Sequence, residues 1–181
     1  PHLYLLYPMH HLFQSQVHEA LTSIDLSGYH FTGIENLTPY SAIGVGPGIG
    51  KKENTVKALI ELMERSTIPL VIDADALNIL SSQENWVQHI KEGYALTPHP
   101  KEFERLFGKF ESSYDRLMKQ IEFAKSTGAV LILKGAFTSI AMPSGNIYFN
   151  TTGNPGMATG GTGDVLTGMI TGMISQGYNS E

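Results

Sequence analysis

Apolar residues along the chain follow two rhythms. Short unbroken runs occur at 3–7 (LYLLY), 41–45 (SAIGV), 69–73 (PLVID), 95–97 (ALT) and 129–133 (AVLIL). Runs of this length bounded by turn residues predict strands, and the most apolar of them suit a parallel sheet buried on both faces. Between the runs lie stretches with helical spacing. Residues 53–65 set Val56, Leu59, Ile60 and Met63 on one side. Residues 114–127 do the same with Leu117, Met118, Ile121 and Ala124, and Gly128 is placed to end that helix. Residues 76–80 predict a short helix, another starts at Glu102 with Phe103, Leu106 and Phe107, and 10–21 is weakly helical. Residues 139–142 and 146–149 predict a hairpin across Pro143-Ser144-Gly145. A last helix begins at or just after 162–164 and carries Val165, Leu166, Met169, Ile170, Met173 and Ile174. Its Gly168 and Gly172, four apart, give it a smooth side that reads as a close-packing face. Strands alternating with helices predict an α/β fold with a mainly parallel sheet and helices on both faces.

Residues able to do chemistry fall at the ends of these elements. The stretch 153–173 (GNPGMATGGTGDVLTGMITGM) runs a glycine-rich loop into the last helix. Glycine accepts φ > 0, so such a loop can turn its amides toward one point. The helix N-terminus adds free N–H groups and the positive end of the dipole. Asp164 stands there. A carboxylate among phosphate-directed amides suits a base that takes a proton from a hydroxyl beside a phosphoryl group. The alternative is that Asp164 is an N-cap. GPGIG (46–50) makes half of a βαβ unit, or else a tight turn that binds nothing; it lacks the spaced third glycine of a dinucleotide fingerprint. Asp73-Ala74-Asp75 ends a strand, where α/β sheets bind ligands. Asp75 reads as the cap of the next helix, and Asp73 and Asn78 as oxygen groups for orienting a Mg²⁺-bound water. Pro98 and Pro100 stiffen the loop that carries His99 and place it to touch substrate. Glu102, in a first helical turn, is explained by the macrodipole as readily as by function. Lys134 closes an apolar strand, so its ammonium emerges at the sheet's end, near any phosphate.

Composition narrows the classes. With 181 residues, 41% hydrophobic and 16% charged, the chain suits one well-packed globular domain. A net charge of −5 argues against binding that tracks nucleic-acid phosphates. No apolar run approaches the ~20 residues of a membrane span. Absence of cysteine excludes disulfides and thiolate zinc sites and fits a reducing cytoplasm. His2, His10, His11 and His18 lack an acidic partner at ligand-like spacing, so they read as surface residues. The chain opens without an initiator Met and closes at 177–181 directly after a helix; it is expected to be a fragment, or to have flanking segments in the same fold.

VIDADALN (71–78), LTPHPKEF (96–103), LKGAFT (133–138) and GNPGMATGGTGD (153–164), in that order and with GPGIG before them, resemble the NAD(P)H-hydrate dehydratase family. This is the carbohydrate-kinase-related domain of the ribokinase-like superfamily, and the resemblance covers about 41–177. It implies a single ribokinase-like domain over residues 1–181, incomplete at both termini. It implies a lyase that repairs hydrated NADH or NADPH. ADP or ATP, with Mg²⁺, phosphorylates the added hydroxyl, and loss of phosphate restores the dihydronicotinamide. By position, Gly48, His99 and Asp164 would contact the hydrated dinucleotide. Lys134, Gly135, Ala136, Phe137, Thr138 and Gly163 would contact ADP or ATP. Asp164 would activate the hydroxyl, the amides of Gly161, Thr162 and Gly163 would hold developing phosphoryl charge, and Glu102 would serve Mg²⁺. The resemblance further implies a cytoplasmic homo-oligomer, fused in the full-length protein to an epimerase domain. Lys101 stands where the family often has Gly. Two other readings fit the loop and Asp164: a ribokinase-like small-molecule kinase that keeps its phosphorylated product, and a non-catalytic nucleotide-binding domain. LTPHP and GNPGMATGG favour the dehydratase.

Overall fold

Leu70, Val71 and Ile72 are all fully buried, and the sheet is built outward from them. The computed structural model describes residues 2–5, 21–25 and 27–178. Strands β1 (His2–Leu5) and β2 (Leu21–Ile24) form a parallel pair of their own, with His2 opposite Leu21 and Leu5 opposite Ile24. The six-stranded sheet follows. It comprises β3 (Ile43–Val45), β4 (Leu70–Ile72), β5 (Ala95–Leu96), β6 (Val130–Leu133), β7 (Thr138–Ala141) and β8 (Ile147–Asn150). The strands lie side by side in chain order, parallel from β3 to β6 and antiparallel from β6 to β8.

That order decides where the helices go. Crossovers between parallel strands are right-handed, so strands that advance in one direction place every connecting helix on one face. The connections hold α1 (Glu53–Arg65), α2 (Ala74–Leu80), α3 (Pro100–Phe107) and α4 (Ser113–Thr127). Their buried residues, among them Leu59, Met63, Leu77, Phe103 and Phe123, join Ile43, Leu70, Ile72, Leu96 and Leu131 in one core. Side chains of a strand alternate between faces, so Val71, Ala95 and Val130 point the other way. They form a second, smaller core with Ile170 and Ile174 of α5 (Thr162–Ser175), which returns across the sheet after β8. The α/β expectation with helices on both faces therefore holds, with α5 covering the second face among the described residues.

Several boundaries differ from expectation. Strand β2 was not predicted: LTSI is short and half polar, and Leu21, expected to close a helix, opens this strand instead. The rest of the 10–21 segment lies outside the described residues, as do His10, His11 and His18. The first strand, expected at 3–7, is seen at His2–Leu5, with residues 6 and 7 also outside the described residues. Helix α4 buries Gln120, Phe123 and Ala124, whereas Met118 is exposed, because the Gln120 carboxamide accepts a buried 2.7 Å hydrogen bond from Ser139 and turns that face inward. Among the described residues Gly168 and Gly172 do not form the expected packing face: a Cβ at either would meet nothing within 4 Å. The close approach is made by the strand's glycine, since a Cβ on Gly44 would sit 2.5 Å from Thr171 Oγ1 of α5. The hairpin and the end of α4 at Gly128 match expectation.

Candidate active site

Each parallel strand leads into a loop or helix N-terminus at its C-terminal end, and the predicted residues collect there. Strand β4 runs into Asp73, whose backbone is extended and whose carboxylate accepts from the Ala74 amide at 2.8 Å. Asp73, rather than the expected Asp75, is therefore the N-cap of α2, which begins two residues earlier than predicted. Ala74 takes a φ of +48°, a left-handed turn unusual for a residue with a Cβ. Beyond that turn the Asp75 carboxylate accepts the Gly50 amide at 3.0 Å and ties down the 46–50 loop. In that loop Gly48 is exposed with φ +67°. Gly46 is held against β4, where a Cβ would lie 1.8 Å from the Asp73 carbonyl oxygen, so no other residue fits.

Asn78 and Asp73 were expected to orient a Mg²⁺-bound water, but both are already engaged. Asn78 donates to the Ala74 carbonyl and accepts from Arg105 at 2.6 Å. Asp73, 1% exposed, accepts from Lys134 Nζ at 2.7 Å and from Thr167 Oγ1 at 2.8 Å as well as from Ala74. Lys134 follows β6, two strands from β4, a separation of roughly 10 Å that a lysine stem bridges. Its backbone amide donates to the Pro98 carbonyl at 2.9 Å, which fixes the β5 and β6 loops together.

His99 is the N-cap of α3 in a reciprocal capping box. Its Nδ1 accepts from the amides of Lys101 and Glu102, and Glu102 Oε2 accepts the His99 amide at 2.9 Å. Nε2 stands 3.4 Å from Glu102 Oε1 on the half-exposed edge of the ring. Both Glu102 oxygens thus face His99, and the side chain is 5% exposed. A resident Mg²⁺ does not fit Glu102 in this state, and among the described residues no group of three or more histidines and carboxylates could hold a metal.

After Lys134, the loop of Gly135, Ala136 and Phe137 is exposed and closed by Thr138, whose hydroxyl bonds the Gly135 carbonyl. Gly153 packs flush on it: a Cβ there would lie 2.5 Å from the Ala136 carbonyl oxygen. The 153–161 loop ends at Gly161, the N-cap of α5, with φ +90° and no capping side chain. Asp164 is therefore not the cap. It is exposed in the first turn, and no hydrogen bond or ion pair engages it among the described residues. The Thr162 amide and hydroxyl turn inward to the Thr159 carbonyl, at 3.4 and 2.6 Å. Among the described residues this leaves the Gly163 and Asp164 amides without an acceptor, as the first turn of a helix requires. A Cβ on Gly163 would stand 3.4 Å from Lys134 Nζ, so the ammonium and this first turn adjoin. A cavity of about 460 Å³ lined by Glu35, Tyr40, Arg65 and Ile68, among others, opens at the opposite strand ends and includes none of these residues.

A glycine loop, an ammonium, and amides and a carboxylate without partners among the described residues can together bind a phosphate and take a proton from a neighbouring hydroxyl. Comparison with known proteins gives the family. A family model described as NAD(P)H-hydrate dehydratase matches residues 6–181. The chain is 44% identical over 146 residues to the bifunctional NAD(P)H-hydrate repair enzyme Nnr of Moorella thermoacetica, covering 80% of this chain and 28% of that one. To the Thermofilum pendens protein of the same name it is 35% identical over 171 residues, covering 91% and 33%. An ADP/ATP-dependent NAD(P)H-hydrate dehydratase of Bacillus subtilis, co-crystallised with ATP and Mg²⁺ and soaked with CoA, superposes with a TM-score of 0.75 at 30% identity, over 100% of this chain and 65% of that one. A ribokinase-like superfamily protein of Enterococcus faecalis gives a TM-score of 0.77 at 25% identity over 97% and 61%, which bears out the ribokinase-like fold. The chain thus spans about a third or less of the length of these Nnr relatives, and it belongs to the NAD(P)H-hydrate dehydratase family.

Proposed function

We propose that the protein containing this chain catalyses the nucleotide-dependent dehydration of hydrated NADH and NADPH. The observation that carries the reading is Asp164, an exposed carboxylate that is unpaired among the described residues, in the first turn of α5, which adjoins Lys134 at Gly163 and whose Gly163 and Asp164 amides meet no acceptor among the described residues. Asp164 accepts the proton of the hydroxyl that water added to the nicotinamide ring. The hydroxyl oxygen then attacks the terminal phosphoryl group of ADP or ATP, forming a C–O–P linkage as the P–O bond to the departing AMP or ADP breaks. The Lys134 ammonium and the amides of the α5 first turn stabilise charge on the transferring group. Phosphate is a far better leaving group than hydroxide; its departure from the ring carbon, with loss of a proton from the neighbouring position, restores the double bond. Gly48 and His99 contact the dinucleotide, and the loop of Gly135, Ala136, Phe137 and Thr138 contacts the nucleotide. Mg²⁺ enters with the nucleotide phosphates as part of the substrate.

We take the 181 residues as part of one ribokinase-like domain that acts as a homo-oligomer in the cytoplasm. The word bifunctional in the relatives' names suits a second, epimerase domain fused to it in the full-length protein. The test is recovery of NADH absorbance from hydrated NADH by the full-length protein with Mg²⁺ and ADP, ATP or neither. Recovery only with a nucleotide is expected and identifies the phosphoryl donor. No recovery by folded, nucleotide-binding protein would instead favour a small-molecule kinase.

A further inference from the structure

We infer that Asp73 is the positioning residue of this site: through Lys134 it fixes the ammonium that meets phosphate, and through Thr167 it sets the helix that carries Asp164. The inference rests on the proposed dehydratase reading, which gives Asp73 no part. Asp73 is 1% exposed, lies just after β4, and is reached by the Lys134 side chain from beyond β6 and by Thr167 from α5. Its two oxygens divide the work. Oδ1 accepts from Lys134 Nζ and the Ala74 amide, and Oδ2 accepts from Thr167 Oγ1. Thr167 itself is 4% exposed, one turn beyond Gly163, and its hydroxyl also lies 3.1 Å from the Gly163 carbonyl.

The geometry has a chemical consequence. An ammonium has three donors. Among the described residues Asp73 is the hydrogen-bond partner of the Lys134 ammonium, which leaves two of its donors for an incoming phosphate. Lys134 is 21% exposed, so its head group is held at the mouth rather than swept through solvent. A carboxylate charge behind the lysine also keeps the cation in place before any phosphate arrives. Preorganised charge of this kind stabilises a transition state without reorganising during reaction. Gly163 lies between the two arms, where a Cβ would sit 3.4 Å from Lys134 Nζ and 3.7 Å from Asp73 Oδ2. One buried carboxylate therefore fixes the spacing between phosphate-binding ammonium and catalytic base.

The arms predict different kinetic signatures. In the full-length protein, Asp73→Asn is expected to lower kcat about tenfold or more and to weaken ADP binding about tenfold, the scale of one lost charge-assisted hydrogen bond. In a Lys134→Met background the same change should add less than about threefold, because the group it positions is gone. Thr167→Val, which keeps the carboxylate and the lysine, is expected to lower kcat about threefold to tenfold while ADP affinity stays within about twofold. ADP affinity by calorimetric titration reports the lysine arm even if hydrated NADH proves not to be the substrate, so failure of the dehydratase reading shows as absent wild-type turnover with these affinity differences intact. Losses from Asp73→Asn and Lys134→Met that simply multiply in ADP affinity would overturn the inference. So would a Thr167→Val enzyme that loses ADP affinity and keeps kcat, which also decides the matter should Asp73→Asn fail to fold.

Discussion

Asp164→Asn is expected to retain ADP or ATP binding and to lose turnover, because the amide keeps the shape at the α5 N-terminus but accepts no proton. Single-turnover measurement beside a nucleotide titration separates the two, and near-normal turnover would remove Asp164 from the mechanism. His99→Ala is expected to weaken hydrated NADH more than nucleotide, read from KM for each, and to cost roughly 1 kcal/mol in stability because the capping box goes with the ring. Asp25 predicts an acid transition. Burial pushes its carboxyl up, but hydrogen bonds from the Thr32 hydroxyl and amide and from Ser27 outweigh that and hold it below the ordinary aspartate value. The unfolded chain then takes up the proton at higher pH than the folded one. The stabilisation is complete above the unfolded value and is lost as pH falls through the folded one. Urea midpoints across the acid range should fall less steeply in Asp25→Asn than in the wild type, while the variant is less stable near neutrality by about 1–2 kcal/mol.

An aromatic cluster fastens α3, the helix that His99 caps, to its neighbours. Phe107 meets Trp86 at 5.4 Å and Phe123 at 5.2 Å, both edge-on, and the ring of Phe103 lies tilted against Phe107 with centroids 4.6 Å apart. Phe103 is fully buried, so Phe103→Ala is expected to lower stability by about 3–5 kcal/mol in denaturant titration, with α3 and its cap loosened first. At this scale the sequence was readable where an element has a long period or a fixed turn chemistry. Helices α1 and α4, the hairpin turn at Gly145 and the buried runs of β4 and β6 all stand where the pattern put them. Strand β2 was not readable, because four half-polar residues carry no period of their own. The cap went to Asp73 instead of Asp75 because the left-handed turn at Ala74 starts the helix early, and no local preference predicts such a turn in alanine. Every candidate loop was legible as sequence. The Asp73–Lys134 and Asp73–Thr167 contacts were not, since they join residues 61 and 94 positions apart that only the sheet order brings together.

Across the whole molecule the sheet is unequal from side to side. Strands β4 and β5 pair on both edges and are buried on both faces, whereas β8 pairs only with β7 and exposes Tyr148 and Phe149 among the described residues. Amide hydrogen exchange is expected to be slowest in β4 and β5 and fastest, within the six strands, in β8. Equal protection of β8 and β4 in solution would mean that another chain or segment covers that edge. The order of strands also has a history written into it. As the chain leaves the ribosome, each strand from β4 to β8 can join a neighbour already made, and the helices between them fall on one side as they come. Helix α5 is the exception, because it must cross back over strands already made to meet Val71, Ala95 and Val130. Asp164 and the amides of its first turn arrive with that helix, so a nascent chain stopped short of it has a sheet and a lysine but no base. The base reaches the site only after every described strand of the six-stranded sheet has been made.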